Sequence, residues 1–139
     1  MSVFNKLEIY RQTSEMAKEL KPSLKRMPRE YKFDIGNEIK RLVRDMKYQI
    51  YLINVRPDNE KLPYLKTFID MYNHLKILID DCLEDNVLSL KGKYTIYSPL
   101  KRLKSIGEQA NKWKRYIEGI NRTGNFLKKN SNTEDEIFK

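Results

Sequence analysis

The chain has 139 residues, the size of one domain, and is 40% hydrophobic and 34% charged, with only 5 Gly and 5 Pro. That composition supports a packed core without staples and disfavours a many-stranded β fold, and the single cysteine, Cys82, excludes an intramolecular disulfide. The formal net charge of +9 points to a polyanionic partner, nucleic acid or an anionic membrane, against the plainer alternative of a solvated basic surface.

Four stretches carry helical periodicity. The first is expected over residues 3–20, with Phe4, Leu7, Tyr10, Ala17 and Leu20 at helical spacing. Pro22 is expected to end or kink it, and a basic connector, Lys21 to Lys32, follows. The second, over 35–56, begins at Asp34 as an N-cap and carries one stripe of Ile35, Ile39, Leu42, Val43, Met46, Ile50 and Ile53. Pro57 and Asp58 break it.

The third helix, over 61–85, has Leu65, Phe68, Ile69, Tyr72, Leu75, Ile79, Cys82 and Leu83 on its inner face and ends at Asp85-Asn86. Tyr94 to Tyr97 taken alone read as a short strand. Ser98-Pro99 starts the fourth helix, over 98–119, with Ser as N-cap and Pro at the first helical position. Its inner positions are Leu100, Leu103, Ile106, Gly107, Ala110, Trp113, Ile117 and Ile120, and Gly107 with Ala110 invites close approach by a neighbour. Residues 1–125 therefore read as an all-α, antiparallel up-down four-helix bundle, and residues 126–139 as a disordered polar tail. No apolar run nears the roughly 18 residues of a membrane span, and the N-terminus lacks a signal-type apolar core, so the expected location is the cytoplasm, without a membrane partner.

The charge is segregated. Residues 1–56 hold 13 basic and 7 acidic side chains, residues 57–92 hold 4 and 7, and residues 93–139 hold 11 and 5. The third helix is the acidic one, with Asp70, Asp80, Asp81, Glu84 and Asp85 on its outer side. Basic residues expected to meet nucleic acid or a protein partner are Arg29 and Lys32 in the connector, Lys40, Arg41 and Arg44 on the second helix, and Lys101, Arg102, Lys104, Lys112, Lys114, Arg115 and Arg122 on or after the fourth. Late cations suit a helix dipole, whereas Lys101, Arg102 and Lys104 lie in the first turns, where the dipole disfavours them. These three are the stronger sign of a functional surface.

Catalytic patterns are missing. His74 is the only histidine and is expected to be a partly buried aromatic. Met71 stands where a Glu-x-x-His metal pair needs its acid, and Phe68, Ile69 and Asp70 stand where a helical ribonuclease of the HEPN type needs an arginine. Cys82 lies eight residues from His74, too far for a side-chain pair, and is expected to pack as a small apolar residue. No glycine-rich phosphate loop occurs. The expectation is a binding protein without catalysis, cofactor or metal. Trp113 falls on a core stripe, while Tyr31, Tyr48, Tyr51, Tyr94 and Tyr97 lie off the main stripes, suited to a protein interface more than to a base-stacking groove.

Two segments carry a family resemblance. Met27-Pro28-Arg29-Glu30-Tyr31-Lys32-Phe33-Asp34-Ile35-Gly36-Asn37-Glu38-Ile39 resembles the junction of the first two helices in the accessory variability determinant (Avd) of diversity-generating retroelements. Ile106-Gly107-Glu108-Gln109-Ala110-Asn111-Lys112-Trp113 is similar to that family's fourth-helix Ile/Val-Gly-x-x-x-x-x-Trp pattern. The likeness spans most of residues 3–125. The four-helix-bundle family encoded in ribosomal RNA intervening sequences is similar in layout but lacks this pair of motifs. The resemblance implies a barrel-shaped homopentamer of non-catalytic bundles. It also implies binding of the retroelement reverse transcriptase and its template RNA, and with it the cDNA, in adenine-directed mutagenic synthesis. Family members carry arginines late in the third helix. Here that region reads Asp80-Asp81-Cys82-Leu83-Glu84-Asp85, which shifts nucleic-acid binding to the other three helices.

Overall fold

The computed structural model describes the backbone of residues 7–135 and the side chains of residues 7–123. Four helices form it: α1 (Glu8–Lys25), α2 (Asn37–Val55), α3 (Lys61–Glu84) and α4 (Tyr97–Asp135). Each packs on its chain neighbours and α4 closes against α1, so α2 and α4 stand on diagonal corners of the bundle. Contacts run in opposite directions where α1 meets α4 and the loop before it, and where α2 meets α3. Ser23 meets Tyr94 while Gln12 meets Arg102, and Gln49 meets Tyr64 while Glu38 meets His74. The architecture is an antiparallel up-down bundle, with no strand among the described residues.

α1 departs from the expected pattern at both ends. Residues 3–6, including Phe4, lie outside the described residues. The helix runs through Pro22 to Lys25. A proline inside a helix costs about 3 kcal/mol, but the turn beyond it buries Ser23 and Leu24, followed by Met27. Burial of the apolar pair offsets the lost rung at about 1.5–3 kcal/mol per large side chain. The inner stripe is Ile9, Thr13, Met16, Leu20, Ser23 and Leu24, rotated from the expected one because two of its members are polar. Thr13 Oγ1 donates to Ile9 O within the helix, and Ser23 Oγ donates to Tyr94 O at 2.8 Å. Both hydroxyls are thereby satisfied inside the core.

Asp34 is not an N-cap. Helical backbone already begins at Arg29–Tyr31, passes through a π turn at Lys32–Gly36, and continues into α2. A β-carbon at the buried Gly36 there would meet Tyr31 O at 3.3 Å and Met27 Sδ at 3.4 Å, and the α2 stripe of Ile39, Leu42, Val43, Met46, Ile50 and Ile53 that follows is buried. The end of α2 is closed by a residue whose sequence looks unremarkable. Lys61 is buried, and its Nζ donates to Ile53 O at 2.8 Å, Arg56 O at 2.5 Å and Asn54 O at 3.4 Å. Burial pushes its pKa down, partly opposed by Asp58 at 3.9 Å.

α3 ends as expected at Asp85-Asn86. Asn86 has φ 61°, its N–H donates to Leu83 O and that of Val87 to Cys82 O, the Schellman pattern with Asn in place of Gly. Cys82 packs in the core, where burial pushes its thiol up to about 11. Residues 94–96 form no strand. The loop is pinned by Ile96 N–H to Ser89 O, and α4 starts at Tyr97, whose N–H donates to Thr95 Oγ1. Ser98 is thus inside the helix, not its N-cap, and its hydroxyl donates to Glu19 instead. α4 continues beyond the expected end at residue 119 to Asp135, through Gly119 and Gly124. Each glycine costs a helix only about 1 kcal/mol, too little to stop it alone. The polar tail expected over 126–139 thus lies in this helix as far as Asp135, and residues 136–139 lie outside the described residues.

Candidate nucleic-acid interface

The seam between α1 and α2 is open along its outer side as a groove of about 530 Å³. Its floor is apolar, made by Ala17, Leu20 and Leu24 of α1 and Ile39 and Val43 of α2. Its walls carry Lys21 and Lys25 from α1 and Lys40, Arg44 and Lys47 from α2, with no carboxylate in the lining. None of these five cations is ion-paired among the described residues; Lys47 lies over the Tyr10 ring at 5.5 Å. Five like charges across one seam repel each other, so an anion laid along the groove relieves a strain that water and salt otherwise screen. Of these, Lys40 and Arg44 were expected as binding residues. The sequence alone reads Lys21 and Lys25 as part of a connector. Because α1 runs through Pro22, residues 17, 21, 24 and 25 instead fall on one helix face.

The other expected residues do not join this groove. Arg29 and Lys32 flank the exposed Phe33 in the π turn, their cationic groups 5.6 and 5.8 Å from its ring. Arg26, not among the expected set, stacks on Tyr94 at 4.3 Å. Arg41 is exposed on the outer face of α2.

The α4 cations point several ways. Arg102 is turned inward: Nε lies 2.8 Å from Glu19 Oε1, and Nη1 donates to Gln12 Oε1 at 3.0 Å. The guanidinium holds the Glu19 carboxyl below its ordinary range, and Glu19 raises Arg102 in turn. Arg102 therefore ties α4 to α1, which explains a cation in a first turn without an external ligand. Lys101 is exposed beside the Tyr97 ring at 5.5 Å. Lys104 lies in a shallow cleft with Tyr72, Lys76 and Asp80. Lys112 sits beside Leu7, Glu8 and Trp113, whose indole is only partly buried. Lys114 pairs with Glu118 at 3.7 Å, while Arg115 and Arg122 are exposed. Since α4 and α2 occupy diagonal corners, the exposed α4 cations Lys101, Arg115 and Arg122 do not line the α1–α2 groove.

The acidic residues of α3, Asp70, Asp80, Asp81 and Glu84, are exposed as the sequence suggested, and Ile77 stands exposed among them. His74 is more open than expected, its side chain 49% exposed, with Nε2 3.3 Å from Glu38 Oε2. Among the described residues, no group of three His, Cys, Asp or Glu side chains is placed to hold a metal ion, and no helix is long and apolar enough to cross a membrane.

Fold and site together define a four-helix bundle with a basic, apolar-floored groove. No family model matches the chain, and no curated protein or solved structure matches it either.

Proposed function

We propose that the chain is a non-catalytic binding subunit that holds the phosphate backbone of a nucleic acid along the α1–α2 groove. The observation that carries this reading is the convergence of Lys21, Lys25, Lys40, Arg44 and Lys47 on one groove without a carboxylate in its lining. Phosphate contacts of this kind position a strand and carry no sequence preference of their own. The resemblance to the accessory variability determinant supplies the finer proposal. The strand is the template RNA, or the cDNA made from it, held in the cytoplasm for the reverse transcriptase of a diversity-generating retroelement by a homo-oligomer of these bundles, a pentamer on the family's pattern.

Fluorescence anisotropy of labelled single-stranded RNA at rising salt tests the first part. Binding weakens with salt, and Lys21→Glu with Arg44→Glu lowers affinity at least about 10-fold and flattens the log–log salt slope by about 0.7 per lost phosphate contact. Binding that is absent at low salt, or indifferent to salt and to these substitutions, overturns it. Co-purification with the reverse transcriptase of the same element tests the second part.

A second reading rests on the exposed acidic face of α3. That face suits the basic surface of another copy, giving a scaffold without nucleic acid. It expects an oligomer in light scattering that dissociates at high salt and never shifts RNA.

A further inference from the structure

The outer face of α2 beside the groove carries a second pattern. Arg41, Arg44, Tyr48, Tyr51 and Val55 recur at intervals of three, four, three and four, so they share one stripe down the helix. Tyr48 is 60% exposed and Tyr51 38%. Their rings stack, with centroids 5.9 Å apart and planes 23° from parallel. Arg44 belongs to both features, forming a groove wall and standing one turn before Tyr48. The acids of α2 fall on the far flank: Asp45 follows Arg44 by one residue, and Glu38 faces His74 of α3.

Resting on the groove reading above, we propose that this stripe is a stacking platform selecting single-stranded over duplex nucleic acid. The phosphates follow the groove cations, and unpaired bases turn outward onto the Tyr48–Tyr51 pair. A duplex keeps its bases stacked on one another and presents only phosphate to the groove. A single strand gains base–aromatic stacking, worth about 1–3 kcal/mol per base, which any base can provide. The cations at one end of the stripe favour this ligand over a neutral protein helix, since an apolar helix laid there would bury Arg41 and Arg44 without counter-charge.

The test compares Tyr48→Ala/Tyr51→Ala with Tyr48→Phe/Tyr51→Phe, using an oligouridine containing 2-aminopurine and an RNA duplex of equal length. Melting curves confirm that these exposed substitutions leave the fold intact. The alanine pair is expected to weaken the single strand roughly 10- to 100-fold, with the salt slope and duplex affinity unchanged. The phenylalanine pair keeps affinity within about twofold, and wild type quenches the 2-aminopurine. Equal losses for single strand and duplex, or no loss for either, overturn the proposal. So does an oligomer that the alanine pair dissociates while RNA affinity stands. In each of these cases the salt-dependent loss caused by Lys21→Glu with Arg44→Glu still reports on the groove, so a failed platform and a failed groove are distinguished.

Discussion

The Tyr72 hydroxyl of α3 occupies the place that a β-carbon at residue 107 would take on α4. Gly107 is buried, and the Tyr72 ring lies across it with Lys76 Nζ 5.3 Å from the ring centroid on α3 itself. The third and fourth helices thus approach as closely as a missing side chain permits.

Gly107→Ala sets two effects against each other. Helix propensity gains about 1 kcal/mol, while overpacking costs about 1–3 kcal/mol because the phenol must move. The net expectation is a loss of stability, read as a lower denaturation midpoint with unchanged slope. In a Tyr72→Ala background the obstacle is gone, and the same substitution stabilises. A stabilising Gly107→Ala in the wild-type background would show that the ring swings aside without penalty.

Lys61→Met removes the donor shared by the last carbonyls of α2, and a loss of about 1–3 kcal/mol is expected. The pH dependence has a definite sign. Burial lowers the folded pKa of Lys61 from 10.5, so between the two values the unfolded chain binds more protons. Stability of wild type relative to Lys61→Met therefore rises with pH through the window just below 10.5, and is flat below the folded pKa. Paired urea titrations across the alkaline range check this.

Arg102→Ala separates a structural arginine from a binding one. It is expected to lower stability by roughly 1 kcal/mol, as for a partly exposed ion pair, and to leave the RNA affinity of the folded protein unchanged. On the acid side, the folded pKa of Glu19 lies below 4.5. Its contribution is complete above 4.5 and is lost as the pH falls through the folded value. Glu19→Gln removes that acid-limb dependence. An RNA-affinity loss in Arg102→Ala at full folding would restore Arg102 to the interface.

Elements with unbroken apolar periodicity were legible in the sequence. The α2 stripe from Ile39 to Ile53 is buried throughout, and the Asn86 end of α3 is where turn chemistry places it. α1 was not legible to the same degree, because Thr13 and Ser23 occupy core positions and find their acceptors only in the folded chain. The stop expected at Pro22 rests on local backbone chemistry alone, which packing beyond the proline overrides. Its failure hid half of the groove, since Lys21 and Lys25 gain a direction only if α1 continues. The α4 cluster failed differently. Composition places Lys101, Arg102 and Lys104 together, but the partner that turns Arg102 inward, Glu19, lies 83 residues away.

The π turn at Lys32–Gly36 amounts to a one-residue surplus spliced into an otherwise α-helical run. Arg29 stands just before it and Lys32 and Phe33 within it, and the core stripe of α2 follows it. Because the wider turn absorbs that extra residue, deleting one residue there would rewind it to α with Arg29–Tyr31 and the residues from Asn37 onward both left near their present phase. The surplus acts as slack, a place where the chain can lose a residue while the core stripe of α2 and the turn before it keep their aim.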